Sequence, residues 1–432
     1  MLDRFFHFRE NNTDVKTETL AGATTFLTMA YIIFVNPQIL AVAGMPLGPT
    51  MAATCLAAAI PTLLMGLWAN YPFALAPGMG LNAFLAYTIV KGKGLTWESA
   101  QALIVLEGLL ITILVLTKFR QQVMNSIPLP LKKAIGAGIG LFIAFLGLTH
   151  AGFIEGNAAT LIGTGNFRDF NTQLALIGLV ITVFLVAWGV RGSLLWGILI
   201  TTGVSLSLGN KTIPAVWVSL PSFETVGGFS RGLEPVLKLS MISLILAVML
   251  SDFFDTMGTI IAVGGKGKFL QSQGGLPRLN RVLLVDSVAA ALGGFFGASS
   301  STTYIESASG VASGGRTGFA SVVTGRLFIL CLFFSPIVSL VPKEATAPAL
   351  IMVGFSMMSM LTEISWSRIE EGFPAFLTVT MIPFTSSIAD GIGWGVISYV
   401  ILQVVKGRGR QLGIPIVIMF LLFAYSLSPW GR

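Results

Sequence analysis

The chain has 432 residues, 54% of them hydrophobic and only 10% charged, against roughly 25% charge in soluble globular domains, and its mean hydropathy is +0.83. At roughly 20 residues per spanning helix it has room for about a dozen or more membrane spans with short loops, and none for a large extramembrane domain. The net charge of +7 comes from basic residues scattered singly or in pairs between apolar runs, which sets orientation in a bilayer rather than marking a nucleic-acid surface; two cysteines, Cys55 and Cys331, and two histidines, His7 and His150, exclude a disulfide framework or a Cys/His metal centre.

Residues 1–19 are polar and aromatic, without the short apolar core of a cleaved signal peptide. Apolar runs then predict spans over 20–43, 50–68, 73–90, 99–116, 134–148, 173–188 and 193–208, so that 20–208 forms a first set of seven. A connecting loop, 209–236, precedes a second set within 237–405: 237–264, 282–297, a short polar stretch over 299–314, 318–341, 345–361, 373–389 and 391–405. A further run over 414–427, within the C-terminal segment 406–432, is read as a surface, re-entrant or extra membrane-associated helix.

Positive loops stay on the cytoplasmic side. Arg4, Arg9 and Lys16 precede the first span; Lys118, Arg120, Lys132 and Lys133 follow the fourth; Arg191 follows the sixth; Lys266, Lys268, Arg278 and Arg281 follow the eighth; Lys406, Arg408 and Arg410 follow the fourteenth. This places the N-terminus and these connections in the cytoplasm of a multi-pass plasma (inner) membrane protein. Seven spans per half is an odd number, so two homologous halves must have opposite orientations, the inverted-repeat plan of many secondary transporters. The string SLLWGILITTG near the end of the first half echoes DGIGWGVISYV near the end of the second.

The third span of each half is broken. In the first half the break is ALAPGMGLNAF (74–84); in the second it is GASSSTTYIESASGVASGG (297–315). Non-helical backbone at membrane depth is tolerated only where protein or a water-filled cavity satisfies it. Paired breaks at corresponding positions point to a central substrate site, whereas close packing through small residues is the structural alternative.

An acid in an apolar span costs roughly 2.5–3.5 kcal/mol on insertion scales, so each needs a role or a partner. The candidates are Glu107, Asp252, Asp255, Asp286 and Glu306. Asp252 and Asp255 are three residues apart and share a helical face; Glu306 lies in the broken segment. Because burial disfavours the charged form of a carboxyl group, such acids can exchange a proton during transport, and Glu306 and Asp255 are the leading proton carriers. Asp286 reads as part of a polar network and a secondary candidate; Glu107 reads as an interhelical hydrogen-bonding group. Asn82, just after the Pro77–Gly80 break, offers both a donor and an acceptor.

No Lys or Arg lies in these central segments; the nearest is Arg316. Acids, an amide and exposed backbone near Tyr304 and Ile305 suit a neutral solute with N–H donors and ring acceptors better than an anion. Phe84, Phe253, Phe254 or Phe26 could stack on a planar ring. A channel or anion exchanger of the same architecture would need a basic site or a continuous pore. A membrane-embedded enzyme would need a nucleophile–base pair or a metal cluster, and none is visible.

The strings AGATTFLTMAYIIFVNPQIL, APGMGLNAF, FDTMGT, TTYIES and GGRTGF together resemble the AzgA-like purine permeases of the nucleobase-cation symporter group, bacterial and fungal carriers of adenine, guanine and hypoxanthine. The resemblance runs from about Thr19 to Val405; TTYIE is also similar to the TTYGE string of the wider group, which includes uracil and xanthine permeases. It implies an all-α polytopic fold of fourteen transmembrane spans as two inverted sevens, with short extended strands in spans three and ten. It further implies a core of spans one to four and eight to eleven that moves against a gate made of the rest. By motif position it implies that Asn82, Asp255 and Glu306 are the polar residues of spans three, eight and ten, while relatives can carry other residues at Asp252. The expectation is then an alternating-access proton symporter of purine nucleobases, with a uracil/xanthine permease or an anion transporter of the same architecture as alternatives. Substrate-binding candidates are Asn82, Asp255, Tyr304, Ile305 and Glu306, with Asp252, Phe84 and Asp286 secondary. Expected partners are a purine, a proton and the bilayer, with a homodimer left open; no cofactor, metal or nucleic acid is expected.

Overall fold

A computed structural model describes residues 2–117, 128–209, 216–238, 241–269 and 276–428, except for the side chains of Phe254 and Ile261. The expectations resting on Lys118, Arg120 and the Phe254 ring lie outside the described residues.

The chain is a mostly helical polytopic membrane protein. Among the described residues, ten helices are long and apolar enough to cross a bilayer. The first is α2 (Val15–Met29) continued by α3 (Ile32–Ala41), after a short α1 (Leu2–Phe6). Next come α4 (Leu47–Leu64), extended by one π-helical turn to Ala69, then strand β1 (Leu75–Pro77), α5 (Met79–Ala83) and a π-helical continuation over Phe84–Gly92. The first half closes with α6 (Trp97–Leu116), α7 (Leu129–His150), α8 (Phe170–Ala187) and the shorter α9 (Ser193–Ser207).

A one-turn α10 (Leu233–Val236) leads to α11 (Ile242–Lys266) and α12 (Leu279–Phe296). The predicted polar stretch resolves into a strand, Ser301–Thr303, and a short helix, α13 (Ser307–Ala312). Then follow α14 (Gly318–Cys331), α15 (Ser335–Val338), α16 (Lys343–Met357), α17 (Ile369–Thr385) and α18 (Ile388–Val405). The leftover run is α19 (Ile414–Leu427). It turns back along α18, because a side chain at Gly393 would meet Phe423 and Leu427, and its far end bonds to α11 through Ser243 and Ser426 at 3.1 Å.

The connection 152–169 contains a hairpin of β2 (Ile154–Asn157) and β3 (Leu161–Thr164), so the strand in the second broken span is β4. Asn157 starts its turn by accepting from the amides of Ala159 (2.8 Å) and Thr160 (3.2 Å), the side-chain mimicry that makes Asn a turn former.

Two contacts fix the helices around the breaks. Glu18 is fully buried in α2 and accepts from the amides of Arg316 (2.7 Å), Thr317 (3.1 Å) and Ala320 (3.3 Å), satisfying donors that a helix start leaves open. Close by, Gly66 and Gly318 bring two backbones together: a Cβ on Gly318 would lie 2.0 Å from the Gly66 carbonyl oxygen.

Candidate functional site

The two broken segments meet each other. β1 and β4 pair antiparallel, with Leu75 opposite Thr303, Ala76 opposite Thr302 and Pro77 opposite Ser301. Backbone bonds at both ends lengthen the ladder, Gly78 N–H to the Ser300 carbonyl (2.8 Å) and Tyr304 N–H to the Ala74 carbonyl (2.9 Å). Pro77 can end a strand because it has no N–H to donate.

A two-stranded ribbon of this length is marginal alone, and at membrane depth every backbone polar group needs a partner. Side chains supply them. Thr62 both accepts from the Leu75 amide (2.8 Å) and donates to its carbonyl (3.1 Å); Ser307 accepts from the Ala74 amide (2.9 Å). Asp286 on α12 takes the Thr303 amide (3.0 Å), the Thr303 hydroxyl (2.9 Å) and, with its two oxygens at 2.9 and 2.8 Å, the Thr256 hydroxyl of α11.

Burial and partners separate the five acids. Glu107 (0% exposed), Asp252 (1%) and Asp286 (1%) are enclosed by protein, whereas Asp255 and Glu306 are partly exposed. Asp252 accepts from Ser300 (3.4 Å) and Asp255 from Thr302 (3.3 Å), which ties α11 to the residue before β4 and to the middle of the strand. Glu306 precedes α13; its Oε1 accepts from the Tyr31 hydroxyl at 2.7 Å. Glu107 lies where α6 packs on α12, one residue before Gly108, whose neighbour is the Ala291 backbone.

Asn82 is fully buried on α5. Its Nδ2 reaches the Pro77 carbonyl at 3.5 Å, and its Oδ1 has no hydrogen-bond partner among the described residues. The Tyr304 hydroxyl donates to the same Pro77 carbonyl at 2.6 Å, so Asn82 and Tyr304 converge on one atom. The Tyr304 amide is consumed by the strand ladder and cannot serve a ligand, which corrects the expectation of a freed donor there. The Ile305 amide has no backbone acceptor among the described residues, and its side chain is half exposed. Phe84 (1% exposed) and Phe253 (7%) are packed into the main hydrophobic core, while Phe26 sits edge-on to Phe328 at 5.1 Å.

Arg316 donates through Nη1 to the carbonyls of Val311 (2.9 Å) and Gly315 (2.8 Å). Among the described residues, no cluster of three His, Cys, Asp or Glu side chains could hold a metal ion. Sequence reasoning missed Glu18, which lies just before the apolar run, and Tyr31, which lies within the quoted AGATTFLTMAYIIFVNPQIL string.

Comparison with known proteins adds three findings. The model of the Permease family (Xan_ur_permease) matches residues 16–393. The chain is 42% identical to the adenine permease AdeP of Escherichia coli K12, over 99% of this chain and 96% of that one, and 42% identical to the guanine/hypoxanthine permease PbuG of Bacillus subtilis 168, over 94% and 95%. Among solved structures, the transmembrane domain of the cyanobacterial bicarbonate transporter BicA superposes with a TM-score of 0.65 at 16% identity, covering 87% of this chain and 97% of that one. SLC26A9 superposes with a TM-score of 0.69 at 12% identity, covering 91% and 66%. These two show a shared fold alone.

Proposed function

This chain belongs to the Permease family and is a membrane transporter rather than an enzyme, and from that premise we propose that it imports purine nucleobases (adenine, guanine or hypoxanthine) by proton symport. The observation that carries the reading is the pairing of β1 with β4, which gathers Asn82, Asp255 and Glu306 around two adjoining breaks. In this reading Glu306 and Asp255 accept the N–H groups of the base, and the unpartnered Asn82 Oδ1 and the Ile305 amide address other polar edges. Glu306 or Asp255 carries the coupling proton. Arg316 is spent on carbonyls, which favours a neutral solute over an anion.

The proposal includes fourteen spans in two inverted sevens, a cytoplasmic N-terminus in the plasma membrane, and a core of spans one to four and eight to eleven that moves against the gate. Three polar contacts support this division. Tyr87 meets His150 of α7 at 2.5 Å, Thr88 bonds to the Ser386 carbonyl, and Gln38 of α3 bonds to Thr346 of α16. With the proposed orientation all three join core to gate on the outer side, giving a closed outer entrance.

The test is uptake of labelled adenine in cells or proteoliposomes, competed by unlabelled bases, with and without a protonophore. Glu306→Gln should reach the membrane and lose gradient-driven accumulation. Full accumulation by that variant would overturn the proton role of Glu306.

A further inference from the structure

Tyr31 lies at the junction where α2 ends and α3 begins, 275 residues from Glu306 in sequence. Its side chain is 1% exposed, and its hydroxyl donates to Glu306 Oε1 at 2.7 Å. No other side chain donates to the Glu306 carboxyl among the described residues, and the residue is partly exposed. Asp255 from α11 and Tyr304 are the other titratable groups close to the pair.

We propose that Tyr31 is a positioning residue that holds one oxygen of the Glu306 carboxyl and turns the other toward the substrate; this rests on the purine-symport reading. A phenol suits the task because it is both donor and acceptor. It donates to the carboxylate and accepts from the protonated acid, so one contact holds the carboxyl in place in both states. A ring fixed by burial also lets the acid meet its ligand without first losing side-chain freedom, which is the usual gain from preorganisation.

Tyr31→Phe removes only the hydroxyl. Wild-type uptake of labelled adenine, guanine and hypoxanthine comes first: no saturable uptake of any of the three overturns the purine reading, and this proposal with it. With uptake established, Tyr31→Phe should raise KM about tenfold or more, the effect of losing one hydrogen bond to a charged group, at unchanged Vmax and unchanged membrane level. Tyr31→His, which keeps a ring donor, should recover part of the loss. KM does not depend on the number of carriers, so it is read even where a variant reaches the membrane in smaller amounts. A wild-type KM in Tyr31→Phe, with or without a fall in Vmax, overturns the positioning role.

Discussion

Replacing Asp286 by alanine should loosen the second broken span from its support. The carboxyl is 1% exposed and receives the Thr303 amide, the Thr303 hydroxyl and the Thr256 hydroxyl at 2.8–3.0 Å. Alanine strands all three donors among buried residues. The hydroxyls can rotate toward other acceptors, but the Thr303 amide is fixed by the strand. At about 1–3 kcal/mol for each buried group left unsatisfied, the loss is on the order of 3–6 kcal/mol. That corresponds to a melting midpoint lowered by roughly 5–10 °C. Asp286→Asn keeps one acceptor oxygen but turns an NH2 toward a donor, so about half that loss is expected. The assay is a thermal melt of the detergent-solubilised protein, followed by size-exclusion of a fluorescent fusion, together with KM for purine uptake at a permissive temperature. Because Asp286 is closed off behind β4, KM should stay near wild type. A wild-type midpoint for Asp286→Ala, or a raised KM with undiminished stability, would refute the reasoning and make Asp286 a substrate ligand.

Gly318→Ala should abolish most folded protein, because the added Cβ meets the Gly66 carbonyl at 2.0 Å and neither backbone can yield, whereas Gly203→Ala, which faces open space, should express like wild type; equal yields would disprove the close approach. Tyr87→Phe removes the contact with His150, about 1 kcal/mol of the outer closure. Labelling of Ser386→Cys by a membrane-impermeant thiol reagent should then rise about fivefold, and unchanged labelling would show that the contact does not hold that side shut.

Much of the architecture was legible in order along the chain. Hydropathy places the helices to within a few residues, as α6 (Trp97–Leu116) against the expected 99–116 shows. Pro77 and the run of Ser and Thr around residue 300 mark where helices stop. Boundaries blurred where a helix carries polar residues at its start: α2 begins at Val15 rather than at residue 20, which hid Glu18 among the N-terminal loop residues. The hairpin at Ile154–Thr164 was also missed, because its side chains face away from any core and show no apolar alternation.

Among the acids, the sequence could rank Asp255 and Glu306 above Asp286 and Glu107 but could not name the partners of any of the five. Only the fold shows that Asp286 is enclosed by three donors while Asp255 is partly exposed. Tyr31 gave no local sign of its role, since a tyrosine in an apolar run reads as packing.

What the sequence determined by itself is therefore what depends on local composition: a membrane-spanning helical chain, two breaks, and a few acids in an apolar setting that each require a reason. The tertiary structure alone decided which residues answer one another. The β1–β4 register, the donors around Asp286 and the Tyr31–Glu306 bond join residues from 17 to 275 positions apart in sequence. Hydrogen bonds act over about 3 Å, and no spacing along the chain specifies which distant atoms come that close.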